Sequence, residues 1–177
     1  MPHALSASET LKYDIPKGWF KSPETSERWL GQDPTVYLNN GDHSIGITHY
    51  GLENSRFKMP DDFARWIKDI FKDIDSESSV QVAGKTGTLI KLHTDSEGYT
   101  DHHGARVPPE YVYEEFLILP AEEGFWALIL SFRQIGPGYL KKFEGEDVKT
   151  RKKDLHAILK VWSHFLKTCR LPAASKP

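Results

Sequence analysis

Twenty residues in the second half of the chain, Glu114–Arg133, restrict the fold more than any other segment. They read EEFLILPAEEGFWALILSFR, which is two apolar runs joined by the short link PAEEG. A link of this length does not allow a crossover between parallel strands, so the two runs are predicted to form an antiparallel hairpin. Because both alternating sets of side chains are apolar in each run, both faces of the sheet are predicted to be covered.

The alternation assigns each apolar side chain of this hairpin to one of two faces. On the first strand, Phe116 and Ile118 are predicted to point away from the face that holds Leu117 and Leu119. The second strand has two opposing sets, which are Trp126, Leu128, Leu130 and Phe132 on one face and Phe125, Ala127 and Ile129 on the other. Each face therefore needs a covering element of its own.

Length and composition narrow the class of protein. The chain has 177 residues, 12% of them aromatic, which suits one domain with a substantial core. The formal net charge of −2 gives no basic surface for nucleic acid or for an anionic membrane. A single cysteine excludes an internal disulfide, and no apolar run approaches the roughly 20 residues of a membrane-spanning helix.

The ends of the chain bear on its compartment. The first ten residues, MPHALSASET, lack the basic region and apolar core of a signal peptide. We therefore expect a cytoplasmic protein if Met1 is native, and a periplasmic one if a leader has been removed. Residues 1–10 and 171–177 are expected to be flexible, which leaves a single domain over residues 11–170.

Further strands and turns are predicted from alternation and from Gly, Asn and Pro. They are a short edge strand within Tyr13–Phe20, a further short strand near Trp29, a hairpin of Thr35–Leu38 with Ser44–Tyr50, and a hairpin of Ser79–Ala83 with Thr88–His93. Between the last hairpin and the central one lies Thr94–Glu110, seventeen residues with no evident periodicity.

Two amphipathic helices complete the set of elements. One begins near Pro60, where Asp61 and Asp62 favour a helix start, and its apolar stripe runs from Phe63 to Ile74. The other spans roughly Asp154–Arg170. The predicted fold is α+β, a three-layer α/β/α sandwich in which a central antiparallel sheet carries one helix on each face. The alternative is a curved sheet that grips the C-terminal helix and leaves a ligand cavity beneath it.

The order of these elements resembles the PsbP-like family, whose members include the PsbP protein of photosystem II, bacterial relatives such as DcrB and a Ran-binding nuclear-import factor. The resemblance rests on the opening Tyr13-Asp14-Ile15-Pro16-Lys17-Gly18-Trp19, the helix after a hairpin, the long central hairpin and the closing helix. It covers residues 11–170 as a pattern of elements. It implies a mostly non-catalytic protein that binds other proteins or helps to assemble complexes.

The candidate partner-binding residues lie in and just after the Thr94–Glu110 segment. Long segments without regular structure in compact domains are usually functional or disordered, and aromatic and arginine side chains are enriched at interfaces. The predicted contact residues are Tyr99, Asp101, His102, His103, Arg106 and Tyr111. A zinc site built with His93 or Asp95 is a weaker alternative, because adjacent histidines of an extended chain point in opposite directions.

Other suggestive motifs have ordinary structural interpretations. Ala83-Gly84-Lys85-Thr86 resembles the end of a phosphate loop, but Ser79 stands where that motif needs glycine. The acid pairs Glu114-Glu115 and Glu122-Glu123 are interpreted as ordinary polar residues, and Cys169 as a core thiol on the last helix. The sequence therefore predicts no catalytic residue, no metal site and no cofactor.

Three functions follow from these observations. The preferred one is a non-catalytic protein-binding or complex-assembly module with an unidentified protein partner. The first alternative is a small-molecule-binding protein or enzyme with a cavity between the sheet and the C-terminal helix. The second is a metal-dependent hydrolase that uses the His102 region.

Overall fold

The computed structural model describes residues 11–22, 35–41, 43–51, 57–71, 73–96, 98–107, 110–135 and 146–171, with the backbone alone at 135 and 146–151. Their order is β1 (Phe20–Lys21), β2 (Val36–Asn40), β3 (His43–Tyr50), α1 (Pro60–Ile70), β4 (Ile74–Val82), β5 (Lys85–Ser96), β6 (Tyr99–Thr100), β7 (Arg106–Val107), β8 (Glu110–Pro120), β9 (Phe125–Ile135) and α2 (Glu146–Thr168). The segment predicted near Trp29 and both predicted flexible ends, except Leu171, fall outside these ranges.

Seven of the strands form one antiparallel sheet in the order β1-β2-β3-β9-β8-β5-β4. The central hairpin predicted from the sequence is confirmed, since β8 and β9 pair along their whole length with Leu117 opposite Leu128. The tight turn between them needs Gly124, whose φ is +82°. The protein is therefore an α+β fold with a large antiparallel sheet and, in the described part, two helices.

The two apolar sets of the central hairpin enter two different cores, as the alternation predicts. One core joins Leu117, Leu119, Leu128 and Leu130 to side chains of α2, among them Trp162 and Phe165. The other core joins Phe116, Ile118, Phe125 and Ala127 to Phe63 and Ile67 of α1. Since neighbouring residues of a strand point to opposite faces, these cores lie on opposite faces of the sheet.

Helix α1 is shorter than its apolar stripe suggested. The backbone N–H of Met59 donates to Asp62 at the start, and the helix ends at Ile70, after which Phe71 is extended. The expectation that the stripe continued as helix to Ile74 is wrong, because Ile74 begins β4. Phe71 and Ile74 still pack against the α1 core, so the period predicted their burial although it misassigned the element.

Helix α2 is longer than predicted, because it begins at Glu146 rather than near Asp154. Its first two turns are rich in charged residues, which are good helix formers but leave no apolar periodicity. At its other end, Lys12 and Arg170 exchange backbone hydrogen bonds of 2.8 Å, so the N-terminal segment is tied to the chain beyond α2.

Candidate functional site

The described residues of the Thr94–Glu110 segment contain β-strands, and the expectation that the segment lacks regular structure is wrong. Strand β5 continues to Ser96 and β8 starts at Glu110, so these strands extend past their predicted limits. Beyond them β6 and β7 pair as a separate two-stranded sheet, with Tyr99 opposite Val107 and Thr100 opposite Arg106. We call residues 98–107 the distal hairpin.

Asp101 organises the turn of the distal hairpin. Its Oδ1 accepts hydrogen bonds from the backbone N–H groups of His103 and Ala105, each at 2.9 Å. Its own N–H donates to the Ala105 carbonyl at 2.9 Å, and Gly104 takes the positive φ of +82° that closes the turn. The predicted contact residue Asp101 thus has a structural task, which is to hold the turn in one shape.

His102 and His103 lie side by side at the exposed tip of the distal hairpin. Their ring centroids are 3.9 Å apart with an angle of 45° between the planes. The expectation that the two rings point in opposite directions is wrong, because these residues form a turn and not a strand. Over the described ranges, no three His, Cys, Asp or Glu side chains group so as to hold a metal ion, which gives the zinc alternative no support.

The remaining predicted contact residues separate into exposed and buried ones. Tyr99 is 61% exposed on the distal hairpin, and Arg106 on the paired strand is also exposed. Tyr111 belongs to β8 instead and is only 8% exposed, with its ring 6.3 Å from that of Phe132. The structure therefore brings five of the six predicted residues together and places Tyr111 in the α2 core.

Glu115, which the sequence interpretation treated as an ordinary polar residue, is the most buried charged side chain among the described residues, with 2% exposed. Its Oε1 accepts a hydrogen bond from the Tyr113 hydroxyl at 2.7 Å and lies 3.1 Å from the Lys91 ammonium. Its Oε2 accepts a hydrogen bond of 2.8 Å from the indole N–H of Trp162 on α2. A glutamate that directly precedes a doubly apolar run was the available signal, because such a position is buried and needs partners.

The environment of Glu115 favours a structural role. Three donors from β5, β8 and α2 occupy the carboxylate, so the group ties the helix to the sheet. Burial, and then the hydrogen bond to Glu115, raise the pKa of the Tyr113 hydroxyl, which keeps the phenol protonated as a donor. On the other face, burial raises the pKa of Glu114, while the Ser131 hydrogen bond and the Arg133 charge oppose that rise.

His93 and Asp75 form a second side-chain contact, between exposed groups on β5 and β4. His93 Nδ1 is 2.8 Å from both carboxylate oxygens of Asp75, so the histidine is held by β4 at the start of that strand. Both side chains are exposed, which limits what the contact contributes to stability. The pair fixes the orientation of the imidazole and links β4 to β5.

Two other sequence interpretations are confirmed. Ala83 and Gly84 form a hairpin turn between β4 and β5, with φ values of +53° and +78°, and not a phosphate loop before a helix. Cys169 is buried in the α2 core, and burial raises the pKa of its thiol to about 12, so it stays protonated near neutral pH. In the described ranges, neither helix has the length and apolar character needed to cross a membrane.

Comparisons with known proteins do not assign this chain to a family. The chain matches no protein family and no curated protein. A solved structure of LpqN, a protein involved in cell envelope biogenesis of Mycobacterium tuberculosis, is similar with a TM-score of 0.42 and 10% sequence identity. That similarity covers 97% of this chain and 88% of the LpqN chain. Membership of the PsbP-like family stays a prediction.

Proposed function

We propose that this protein is a non-catalytic module that binds another protein or helps to assemble a complex, and that the distal hairpin makes the contact. The exposure of Tyr99 carries the proposal, because 61% of this large aromatic residue meets solvent on a segment with its own hydrogen-bonded turn. Tyrosine offers an apolar ring and a hydroxyl together, which suits it to protein interfaces.

The order of the distal hairpin supports the proposal on energetic grounds. Association costs conformational entropy whenever a contact segment must first be ordered. Here the Asp101 hydrogen bonds and the β6–β7 pairing already hold the turn. The distal hairpin therefore loses less conformational entropy when it binds a partner. Arg106 lies on the neighbouring strand and adds a planar donor for a carboxylate or a backbone carbonyl of the partner.

We also infer that the sheet and the helices form a three-layer α/β/α sandwich of the PsbP-like kind. The separation of the α1 and α2 side chains into two cores supports this arrangement. It bears on function because the distal hairpin lies between β5 and β8 in the chain and pairs as a sheet of its own, with exposed side chains that a partner can meet.

The alternative of a ligand cavity under α2 has less support. The rings of Trp162 and Phe165 stack with centroids 5.6 Å apart and are almost completely buried against the sheet. The polar group beneath the helix, Glu115, has its oxygens occupied by protein donors. The packing at that point therefore favours a filled core.

A proteomic comparison of variants tests the proposed binding function. Tagged wild-type protein, Tyr99→Ala and Phe20→Ala are used to capture partners from a lysate of the source organism. Phe20 is a matched control because it is also a largely exposed aromatic residue, 59%, but lies on β1. We expect one partner to be enriched by wild-type protein and by Phe20→Ala, and about tenfold less by Tyr99→Ala, which is typical of losing an interface anchor.

One outcome of the capture experiment would contradict the proposal. If Tyr99→Ala and Phe20→Ala recover the same proteins in the same amounts as the wild type, the distal hairpin is not the contact. Far-UV circular dichroism and the thermal midpoint of each variant show that the substitutions leave the fold intact. Both side chains are mostly in solvent, so we expect a change in stability of no more than about 0.5 kcal/mol.

A further inference from the structure

The outer border of β4 is a sheet edge with little protection. Strand β4 is the last strand in the order of the seven-stranded sheet, and among the described residues it pairs with β5 alone. After an irregularity between Ile74 and Ser76, its pairing with β5 is continuous from Ser76 to Val82. In an edge strand one row of backbone N–H and C=O groups faces outward and is available to another strand.

The side chains of this stretch do little to block a second strand. Edge strands are usually guarded by lysine, proline, a bulge or inward charges. Residues 76–82 read SESSVQV, so they contain no proline and only one charge. That charge, Glu77, is held 2.6 Å from the Lys68 ammonium of α1, and the one irregularity lies before the stretch begins.

We propose that this edge binds the β4 strand of a second copy of the chain in antiparallel pairing about Ser79. Ser79 is the midpoint of the regular stretch, so a two-fold axis there pairs all seven residues from Ser76 to Val82 with their counterparts. Ser79 lies opposite Ser79, and Ser76 lies opposite Val82 of the other copy. The result is one continuous sheet of fourteen strands, twice the seven of each chain.

Charge and side-chain type favour a second copy over a foreign strand. In the register about Ser79 the acidic Glu77 faces the neutral amide of Gln81, so no like charges meet. The Gln81 amide donates to Thr86 within its own chain and has a second N–H for this carboxylate. The stretch has no cluster of charge that would select a charged foreign peptide, whereas it is complementary to itself.

The expected dimer is weak and depends on concentration. A contact limited to one strand from each copy buries less than the roughly 1,200–2,000 Å² of a stable interface. In sedimentation equilibrium we therefore expect the average mass to rise from the 20.2 kDa of one chain toward twice that value as the concentration increases. Hydrogen exchange of the outward amides of residues 76–82 is expected to slow over the same concentration range.

Charge variants at the centre of the proposed interface provide the test. Ser79→Lys and Ser79→Asp each place two like charges opposite one another, so each variant alone is expected to dimerise about fivefold more weakly or worse. A mixture of the two variants places Lys opposite Asp and is expected to form a heterodimer. Ser163→Lys, the same exchange at an exposed position on α2, is the control and is expected to dimerise like the wild type.

Each other outcome overturns the proposal. A wild-type chain that stays at 20.2 kDa at all concentrations has no such interface. Association that survives in Ser79→Lys, or that is lost in both variants without returning in their mixture, means that Ser79 does not face Ser79. Protection of the β4 amides that appears only with an added extended peptide would assign the edge to a foreign strand instead.

Discussion

At the scale of single residues, Glu115 connects α2 to the sheet through side-chain contacts. Its carboxylate accepts from Tyr113 and Trp162 and faces Lys91, so one side chain connects three elements. A buried acceptor of this kind adds little net stability while it is satisfied, but its removal leaves several donors buried without a partner. The packing of α2 against the sheet therefore depends on the Glu115 carboxylate remaining in place as an acceptor.

Replacing Glu115 by alanine is expected to lower the free energy of unfolding by about 2–4 kcal/mol, because the Trp162 indole and the Lys91 ammonium lose their acceptor. Equilibrium urea denaturation, followed by tryptophan fluorescence, measures the change. Glu122→Ala in the exposed β8–β9 turn is the control and is expected to change stability by no more than about 0.5 kcal/mol. Equal effects of the two variants would contradict the structural role of Glu115.

At the scale of elements, the apolar pattern predicted those strands whose two faces are both buried. Strands β8 and β9 were predicted with the correct face for each apolar residue, because both of their faces are buried. The first turns of α2 and the distal hairpin were missed, because their polar residues carry no hydrophobic period. The start of β4 was missed because Ile74 continues the helical stripe of α1. The turn at Asp101 depends on side-chain hydrogen bonds to the backbone that composition alone does not specify.

The sequence also predicted most of the residues that lie together on the distal hairpin. The residue types expected at an interface led to Tyr99, Arg106 and the histidine pair, all of which lie on the distal hairpin. Tyr111 was included because it follows that segment closely in sequence, but the pairing of β8 with β9 carries it into the core. The contacts of Glu115 join residues 24 and 47 positions away, so no local pattern shows them.

Alanine substitutions at two glycines test how closely the turns of the central and distal hairpins are packed. Gly124 and Gly104 have the same φ of +82°, but a Cβ on Gly124 would lie 1.8 Å from the Tyr50 carbonyl oxygen, whereas one on Gly104 meets nothing within 4 Å. Gly104→Ala is expected to cost about 1–2 kcal/mol for the left-handed backbone alone. Gly124→Ala is expected to cost about 1–3 kcal/mol more, because the β3–β9 contact must open. Thermal unfolding of both variants measures the difference, and equal losses would contradict the close contact.

At the scale of the whole molecule, one sheet separates two cores. The α2 core also receives Leu11 and Trp19 from the N-terminal segment, and Asp14 and Arg170 pair at 3.2 Å beside the backbone contact of Lys12 with Arg170. The two described ends of the domain are therefore held together near the end of α2. Among the described residues, the distal hairpin and the outer border of β4 are the two places where we propose contacts with partners.

The most direct test of the two-sided sheet is a distance between the helices, measured by double electron–electron resonance. Spin labels are attached at Arg65→Cys on α1 and Ser163→Cys on α2, both exposed positions, in a chain that also carries Cys169→Ala. With one helix on each face, the helix axes are about 20 Å apart and the outward labels are expected beyond about 25 Å. A main distance below about 20 Å would place both helices on one face and contradict the account.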